Sequence, residues 1–261
     1  MKILFIGDIV GSPGRRAIKE LVPKITKKEK IDFVVANAEN AAGGSGVTPN
    51  IAEELFSYGV DVITSGDHIW KKKEIVEFLD AESKLLRPAN YPAGAPGSGW
   101  GIYSAKNGAK VGIINLVGRV FMEAVECPFK TGRDIVEKIR KETPIILIDM
   151  HAEATSEKIA LGWYLDGEVS AILGTHTHVQ TADERIYPKG TAFISDLGMT
   201  GPHDSVIGRK VEQILTRFLT SLPTRFEMAE DNVQLNGVVV TIDEKTGKAL
   251  EIKRINEKLG G

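Results

Sequence analysis

Residues 170–178 read SAILGTHTH, an apolar, strand-like run that ends in two histidines. An apolar run without alternation is typical of a strand that is buried on both faces of a sheet. In an extended segment, residues two apart point to the same side, so the imidazoles of His176 and His178 could reach one pocket. This stretch therefore predicts a buried strand with two metal-binding side chains at its carboxyl end.

Four other runs share this composition and are followed by polar residues. They are rich in Ile, Val, Leu and Phe, and they cover residues 2–6, 32–36, 61–64 and 144–148. Apolar residues at three- and four-residue spacing predict helices between them, around residues 18–25, 75–79 and 136–139. The order is largely β-α-β-α-β, which is typical of an α/β fold.

Later segments predict antiparallel pairing. Asn107-Gly108 is a strong hairpin signal between apolar runs at residues 100–105 and 110–116, and further strands are expected at 191–194, 238–242 and 249–255. A last helix carries a wide apolar stripe from Ile207 to Leu222 and should pack on a sheet. We therefore predict an α/β fold with one domain over residues 1–261, built as a four-layer α/β/β/α sandwich of two mixed sheets.

The composition excludes several classes of protein. No stretch approaches the roughly 18 to 20 consecutive apolar residues of a membrane span, and Asp8 interrupts the first run too early for a signal peptide. We therefore expect a cytoplasmic protein with no membrane partner. The net charge of −2 argues against an extended nucleic-acid surface. The single cysteine, Cys127, excludes an internal disulfide and a cysteine-based zinc site.

Candidate metal ligands stand just beyond each of the five buried runs. Open α/β sheets bind ligands at the carboxyl ends of their strands, where the loops converge, so these donors should share one site. Two divalent cations about 3.5 to 4 Å apart need a bridging ligand and further donors for each ion. The candidates are Asp8, Glu39, Asn40, Asp67, His151, His176 and His178. Carboxylates mixed with imidazoles suit iron or manganese, with zinc as the alternative, better than calcium or magnesium.

Three neighbouring residues have roles that the residue types alone leave open. His68 could be a further metal ligand, but an unbound imidazole beside two cations is well placed to donate a proton, and we favour that role. Asp149 and Glu153 flank His151 and could orient it, or they could cap a helix or face solvent.

Six short blocks run in order along nearly the whole chain. They are GDIVG (7–11), NAENAAGG (37–44), GDHIW (66–70), HAEA (151–154), GTHTH (174–178) and DLGMTG (196–201). Each block alone is a weak signal, but their ordered combination is specific. Together they resemble the calcineurin-like metallophosphoesterases and, within them, the YmdB-like branch. The resemblance implies the same four-layer sandwich.

The resemblance also implies a role for each candidate ligand. Asp8, Glu39 and His178 would hold a first metal, with Asn40 close to it. Glu39 would bridge to a second metal. That second metal would be bound by the remaining candidates, Asp67, His151 and His176. His68 would stay free of both metals as the catalytic imidazole.

Two positions depart from the wider family pattern. Val10 stands where calcineurin-like enzymes commonly carry a histidine, although the YmdB-like branch also lacks it. Asp67 stands where the family has asparagine in a Gly-Asn-His motif. A third carboxylate should bind metal more firmly while weakening the pull of the cations on a bridging water. The departure at Asp67 therefore concerns activity rather than fold.

The implied activity is that of a phosphodiesterase with two metal ions, acting on 2′,3′-cyclic nucleotides. A hydroxide that bridges the metals would attack phosphorus, and His68 would act as general acid toward the leaving oxygen. The substrate would be a small phosphate ester in contact with Asn40, His68 and Arg119. Two alternatives stay open: a metal-dependent regulatory or binding protein whose catalysis Asp67 weakens, and a phosphomonoesterase such as a nucleotidase. The sequence also leaves open whether the chain forms a homo-oligomer.

Overall fold

Two mixed sheets organise residues 1–260, the part of the chain that the computed structural model describes. The strands of the first sheet are β1 (Lys2–Ile6), β2 (Asp8–Ile9), β3 (Phe33–Asn37), β4 (Val62–Thr64), β11 (Met199–Pro202), β12 (Val233–Ile242) and β13 (Ala249–Lys258). The strands of the second sheet are β5 (Trp100–Ser104), β6 (Lys110–Val117), β7 (Ile146–His151), β8 (Ala171–Thr175), β9 (Arg185–Ile186) and β10 (Ala192–Ile194). The helices are α1 (Gly11–Glu29), α2 (Pro49–Ser57), α3 (Ile75–Ala81), α4 (Pro128–Ile139), α5 (Thr155–Tyr164) and α6 (Val211–Thr220).

Both sheets combine parallel and antiparallel strand pairs. In the first sheet, β3 lies parallel to β1 and β4, whereas β12 lies antiparallel to β1 and pairs with β13. In the second sheet, β6, β7, β8 and β10 run parallel, and β5 and β9 pair antiparallel at the two ends. The strand order is β2-β11-β12-β1-β3-β4 in one sheet and β5-β6-β7-β8-β10-β9 in the other.

The apolar core divides into three layers that follow from strand alternation. Side chains from alternate positions of β1, such as Ile3 and Phe5, meet Leu147 of β7 and fill the space between the sheets. The intervening positions, such as Leu4, pack against α1, α2 and α3. The outer face of the second sheet packs against α4 and α5, for example through Ile148. Helices therefore cover both sheets on the outside, and the predicted α/β/β/α sandwich is confirmed.

Local sequence explains where α1 and α2 begin or end. Thr48 caps α2, because its hydroxyl accepts a hydrogen bond from the backbone N–H of Ile51 at 3.3 Å, and Pro49 occupies the first helical position. Helix α1 ends at Glu29 and is followed by Lys30, which adopts the left-handed conformation that commonly terminates helices. The hairpin predicted at Asn107-Gly108 joins β5 to β6, with Gly108 at a positive φ of 84°.

The prediction that the last helix packs on a sheet is wrong. In α6 only Ile214 is buried, whereas Leu215 is 49% exposed and Phe218 is 77% exposed. Ile207 and Leu222 lie outside the helix. An apolar stripe at helical spacing identifies the apolar face of a helix but not what lies against that face.

Two further predictions concern the extent of the fold and the membrane. No helix within residues 1–260 combines the length and the apolar character that a membrane crossing requires. The single domain predicted over residues 1–261 includes Gly261, which lies outside the described residues, and this assignment stays a prediction.

Candidate metal centre

The predicted ligands gather at one edge of the molecule, where strand ends of both sheets meet. The first sheet supplies Asp8 of β2 and the residues that follow β3 and β4. The second sheet supplies His151, the last residue of β7, and the histidines that follow β8. Because the parallel strands of each sheet point the same way, their carboxyl-terminal residues converge on one pocket. The candidate ligands therefore lie together at one edge, as the sequence predicts.

Four of the candidates form a tight group. One ligand atom from each of Glu39, Asp67, His151 and His176 lies within 4.8 Å of the others. His151 is at the centre: its Nε2 lies 3.1 Å from Glu39 Oε2, 3.2 Å from Asp67 Oδ1 and 3.0 Å from His176 Nδ1. Two carboxylates and two imidazoles thus point into a space that a single cation could occupy.

The remaining candidates lie on the other side of Glu39. His178 Nε2 is 3.1 Å from Asn40 Nδ2 and 3.9 Å from Asp8 Oδ1. Asn40 Nδ2 also donates to Glu39 Oε1 at 2.9 Å, while Glu39 Oε2 faces His151. Glu39 therefore presents one oxygen to each half of the site, which is the arrangement expected of a shared carboxylate.

Each histidine of the site turns one ring nitrogen inward and engages the other with an oxygen. His151 Nδ1 lies 2.8 Å from Thr175 Oγ1, and His178 Nδ1 lies 3.2 Å from the carbonyl oxygen of Ile207. His176 Nε2 lies 3.3 Å from Glu153 Oε2. A ring nitrogen that faces such an acceptor carries the proton, so the inward nitrogen is the one that can exchange a proton for a metal ion.

Two observations test whether these residues fit a divalent cation. Asp8 Oδ1 is buried and has no hydrogen-bond partner among the residues that the structure describes, although a buried carboxylate oxygen normally has one. A Cβ atom added at Gly66 would overlap Glu39 Oε2 and His151 Nε2, so any larger residue would fill the space between the ligands. The donor set, the unpartnered oxygen and the glycine all fit a metal centre.

Electrostatics of the group also favour a cation. Burial raises the pKa of Glu39, but the charge of His151 and the hydrogen bond to it outweigh burial and lower the pKa to about 2. Burial and the same histidine oppose each other at Asp67, whose pKa falls below its usual range. Burial lowers the pKa of His151, but Glu39 and Asp67 raise it well above its usual value. The pocket therefore concentrates negative charge around one imidazole.

The other ligands have pKa values shifted mainly by burial. Burial lowers the pKa of both His176 and His178, which favours the neutral imidazole that binds metals. Burial also raises the pKa of Asp8 well above its usual value, with the negative charge of Glu39 adding to the effect and the charge of His151 opposing it. A cation would relieve this penalty because it stabilises the carboxylate form of Asp8.

His68 stands at the outer side of the group. Its Nδ1 lies 2.9 Å from Asn40 Oδ1, and its Nε2 lies 3.9 Å from Asp67 Oδ2. The side chain is 32% exposed, in contrast to the fully buried imidazole of His151. In this orientation Asn40 gives its oxygen to His68 and its nitrogen to the ligand group, so a half-turn of the amide would be needed to offer oxygen to a metal.

The backbone that carries the histidine pair differs from the prediction. Strand β8 ends at Thr175, and the residues that follow it are not extended: φ is 102° at His176 and 67° at His178. Positive φ is uncommon for residues other than glycine, and it is seen where the surroundings enforce it. The two imidazoles still reach the site, but each joins a different half. The extended-chain expectation is therefore wrong for this segment.

Arg119 lies on an exposed loop after β6. Its backbone N–H donates to Glu157 Oε1 and Oε2, each at 3.1 Å, and its Nη2 lies 3.4 Å from Cys127 Sγ. The backbone N–H of Gly118 donates to the carbonyl oxygen of His151 at 2.9 Å, so the loop begins beside a candidate ligand. Among the residues that the structure describes, the guanidinium forms no hydrogen bond or ion pair with a candidate ligand.

The sequence did not identify Thr175 as a member of the site. Its hydroxyl donates to Asp149 Oδ1 at 2.7 Å and therefore accepts from His151 Nδ1, so Asp149 orients His151 through this hydroxyl. Glu153 contacts His176 rather than His151. The adjacency of threonine to the histidine pair in the GTHTH block was the available signal, but it does not reveal which way a hydroxyl points.

Comparison with known proteins adds independent findings. The family model of the YmdB-like protein matches residues 4–255. The 2′,3′-cyclic-nucleotide 2′-phosphodiesterase of Bacillus subtilis (strain 168) is 54% identical over 255 residues, which covers 98% of this chain and 96% of that protein. The match includes nearly the full length of both proteins.

Two solved structures share the fold. A hypothetical protein from Thermus thermophilus matches with a TM-score of 0.92 and 38% identity, covering 99% of each chain. A novel phosphatase from Mycoplasma pneumoniae matches with a TM-score of 0.92 and 36% identity, covering 99% of this chain and 93% of that one. With the family model matching almost the whole length, this chain belongs to the YmdB-like protein family.

Proposed function

We propose that this protein is a metal-dependent phosphodiesterase with two metal ions that hydrolyses 2′,3′-cyclic nucleotides. The observation that carries the proposal is the grouping of carboxylates and imidazoles around Glu39, with every imidazole turning one nitrogen inward. The similarity to the Bacillus subtilis 2′,3′-cyclic-nucleotide 2′-phosphodiesterase supports the choice of substrate. A small phosphate ester is thus the expected ligand of the site.

The two halves of the site suggest how the ions would be shared. Asp8, His178 and, after a turn of its amide, Asn40 would hold one ion. The other ion would be held by Asp67, His151 and His176, and Glu39 would be common to both. Iron or manganese suits this set best, with zinc as the alternative. When bound, such ions lower the pKa of a coordinated water and neutralise charge on phosphoryl oxygens.

His68 is proposed to supply the proton that the leaving oxygen needs. The ring lies beside the ligand group, with Nδ1 2.9 Å from the side-chain amide of Asn40 and Nε2 3.9 Å from Asp67 Oδ2. A sugar oxygen is a poor leaving group unless it is protonated as its bond to phosphorus breaks. A positioned imidazole that donates this proton typically contributes about 10² to 10⁴-fold to the rate. Loss of His68 should therefore reduce turnover much more than it reduces metal binding.

Asn40, His68 and Arg119 are the proposed substrate contacts. Asn40 is buried and contacts the partly exposed His68, and Arg119 belongs to the loop that begins beside His151. An arginine can bind a phosphate with two parallel hydrogen bonds. Arg119 is exposed and could turn toward a substrate without breaking a buried contact. A cytoplasmic location accords with a nucleotide substrate and is part of the proposal.

Asp67 favours one alternative, a regulatory or binding protein with weak catalysis. Its carboxylate adds a third negative charge to the group, and the low pKa of Asp67 means that the charge is present at neutral pH. More negative charge around the cations reduces their pull on a shared water. A nucleotidase that removes terminal phosphate is the second alternative, because phosphomonoesters could meet the same ions.

The decisive experiment combines metal analysis with a substrate panel. Metal-free protein would be loaded with manganese or iron, the bound metal counted, and hydrolysis measured on 2′,3′-cyclic AMP, 3′,5′-cyclic AMP, a cyclic dinucleotide, 3′-AMP and bis-p-nitrophenyl phosphate. We expect two metal equivalents and fastest turnover of the 2′,3′-cyclic nucleotide, lost on chelation. Metal binding without turnover of any ester would favour the regulatory alternative. Faster hydrolysis of 3′-AMP would favour the nucleotidase.

A further inference from the structure

Lys158 is the only lysine that is buried within residues 1–260, with 1% of its side chain exposed. It lies in the first turns of α5, on the face that packs against the second sheet. Its Nζ donates a hydrogen bond to Asp196 Oδ2 at 2.8 Å, and Asp196 is equally buried. Lysine is almost never fully buried unless it is paired, so the structure contains a buried ion pair close to the metal centre.

Asp196 uses its remaining acceptor sites on the backbone of two loops. Its Oδ2 also accepts from the N–H of Thr177 at 3.0 Å, and its Oδ1 accepts from the N–H of Gly198 at 2.9 Å. One carboxylate therefore joins α5, the loop after β8 and the loop between β10 and β11. Lys158 fixes the position of this carboxylate.

Both loops carry candidate metal ligands or contact them. Thr177 lies between His176 and His178, both of which have positive φ. The carbonyl oxygen of Gly198 accepts the backbone N–H of Asp8 at 3.1 Å. Asp8 Oδ2 in turn accepts the N–H of His176 at 3.1 Å. The contacts of Asp196 thus lead directly to three ligands of the site.

Burying an ion pair does not in general make a fold more stable than an apolar pair of the same volume would, because both charges lose their hydration. A reason other than stability is therefore needed for this pair. The strained backbone at His176 and His178 supplies one, since residues with positive φ persist only where their surroundings hold them. A charged acceptor grips the N–H of Thr177 more strongly than a neutral one would.

We infer that Lys158 and Asp196 are positioning residues that hold His176 and His178 in the strained geometry needed to bind metal. This inference rests on the metal-dependent function proposed above. Neither residue needs to touch the substrate or a cation. Their effect would pass through the backbone of Thr177 and Gly198.

The test uses the full chain and three variants. Lys158→Met approximates the length of the lysine side chain but leaves the buried Asp196 without its cationic partner. The double variant Lys158→Met/Asp196→Asn removes both charges and keeps one acceptor oxygen for the N–H of Thr177, while the amide NH2 replaces the oxygen that accepts from Gly198. Lys110→Met is the matched control, because Lys110 forms an ion pair of 2.9 Å with Glu142 on the surface. Each metal-free protein would be titrated with Mn²⁺ by calorimetry, and amide hydrogen exchange and thermal unfolding would be measured in parallel.

We expect Lys158→Met to bind Mn²⁺ about 10- to 100-fold more weakly, the usual effect of losing an outer partner of a metal ligand. The N–H of Thr177 should exchange faster, while exchange in β1 and β7 stays unchanged. The double variant should regain thermal stability without regaining full Mn²⁺ affinity, because a neutral amide holds Thr177 less firmly. Lys110→Met should match the wild type in every measurement.

Other results would overturn the inference. If both variants bind Mn²⁺ as tightly as the wild type and only unfold at lower temperature, the pair merely stabilises the fold. If Lys158→Met does not fold, the double variant decides; if neither folds, the pair is a requirement of the fold and positioning is rejected. Wild-type protein that binds Mn²⁺ but hydrolyses no ester would reject the proposed function instead. In that case, hydrogen exchange at Thr177 in the metal-free protein would still test whether Lys158 and Asp196 position this segment.

Discussion

The inner and outer sides of the candidate metal centre differ in how deeply their side chains are buried. On the inner side, Asp8, Glu39 and His151 are at most 1% exposed, and buried partners surround them. On the outer side, the side chains of Asp67 and His68 are 25% and 32% exposed. A buried charged group is costly unless its partners are in place, whereas an exposed group can move in water.

This difference separates two tasks. The inner residues have fixed positions, so they are suited to binding metal in a defined geometry. The outer residues face the solvent from which a substrate arrives, so they are suited to contacting phosphate and moving protons. Substitutions on the inner side should therefore change metal content most, and substitutions on the outer side should change turnover or substrate affinity more than metal content.

The largest effect is expected for Glu39→Gln on the inner side. The amide keeps the shape of the side chain but cannot serve two cations as a charged bridging ligand. Loss of several kcal/mol of electrostatic stabilisation corresponds to a fall in turnover of at least about 10⁴-fold. Metal analysis after loading with Mn²⁺ should find at most one equivalent. Glu53→Gln, an exposed glutamate of α2, is the control. Two equivalents with normal turnover would show that Glu39 is not shared.

His68→Ala should give the next largest effect and should separate the two sides most clearly. We expect turnover of 2′,3′-cyclic AMP to fall by about 10² to 10⁴-fold with metal content unchanged, because the general acid is lost. Hydrolysis of bis-p-nitrophenyl phosphate should fall much less, since p-nitrophenolate leaves without needing a proton. His203→Ala provides the histidine control, because His203 contacts Gly201 and Asn236 rather than the ligand group.

Two results would contradict the role of His68 in different ways. Loss of metal from His68→Ala would show that His68 is a metal ligand, like the residues of the inner side. Equal losses on the nucleotide and on the aryl ester would mean that His68 does not protonate the leaving oxygen. Positioning of the substrate would then be the simpler explanation.

The grouping of the candidate ligands could be predicted from sequence because it depends on strand ends. A parallel strand must be apolar to be buried, and its carboxyl end must meet its neighbours at one edge of the sheet. Apolar runs followed by donors therefore reveal the site without its coordinates. The donors are close together at the edge, as expected, and they come from both sheets.

Helices α1 and α6 show that an apolar stripe in the sequence does not predict burial. Both carry an apolar stripe, and in α1 Ile18 and Val22 are buried while in α6 Leu215 and Phe218 are exposed. Helix α5 was missed for the opposite reason. Its buried face consists of Glu157, Lys158, Leu161 and Gly162, so two charged residues interrupt the apolar pattern. The spacing of apolar residues shows which face of a helix is apolar. It does not show which distant segments of the chain pack against that face.

The backbone conformation of His176 and His178 could not be predicted from the sequence either. The choice of residues at His176 and His178 indicates metal binding, but both have positive φ, and the backbone of this segment donates hydrogen bonds to Asp8 and Asp196, which lie far away in the chain or on another loop. No local pattern encodes these contacts. Orientation of His151 by Asp149 through the hydroxyl of Thr175 is of the same kind.

Asp67→Asn should have a smaller effect, and it tests whether the outer side restrains turnover. Removing one of three carboxylates should strengthen the pull of the cations on a shared water, so turnover of 2′,3′-cyclic AMP should rise by up to about tenfold, or about 1.36 kcal/mol. Mn²⁺ affinity should fall modestly. Asp134→Asn on the exposed face of α4 is the control. An unchanged or lower turnover would reject charge as the restraint and would leave Asp67 as an ordinary oxygen ligand.

The smallest effect is expected for Arg119→Met at the edge of the outer side. An exposed charge contact is worth about 0.2 to 1 kcal/mol, so KM for 2′,3′-cyclic AMP should rise by no more than about fivefold, with kcat and metal content unchanged. The difference should shrink as salt is added, because salt screens exposed charges. Arg16→Met on α1 is the matched control. A fall in kcat at constant KM would instead place Arg119 among the groups that act only in the transition state, and identical kinetics at all salt concentrations would remove it from the substrate contacts.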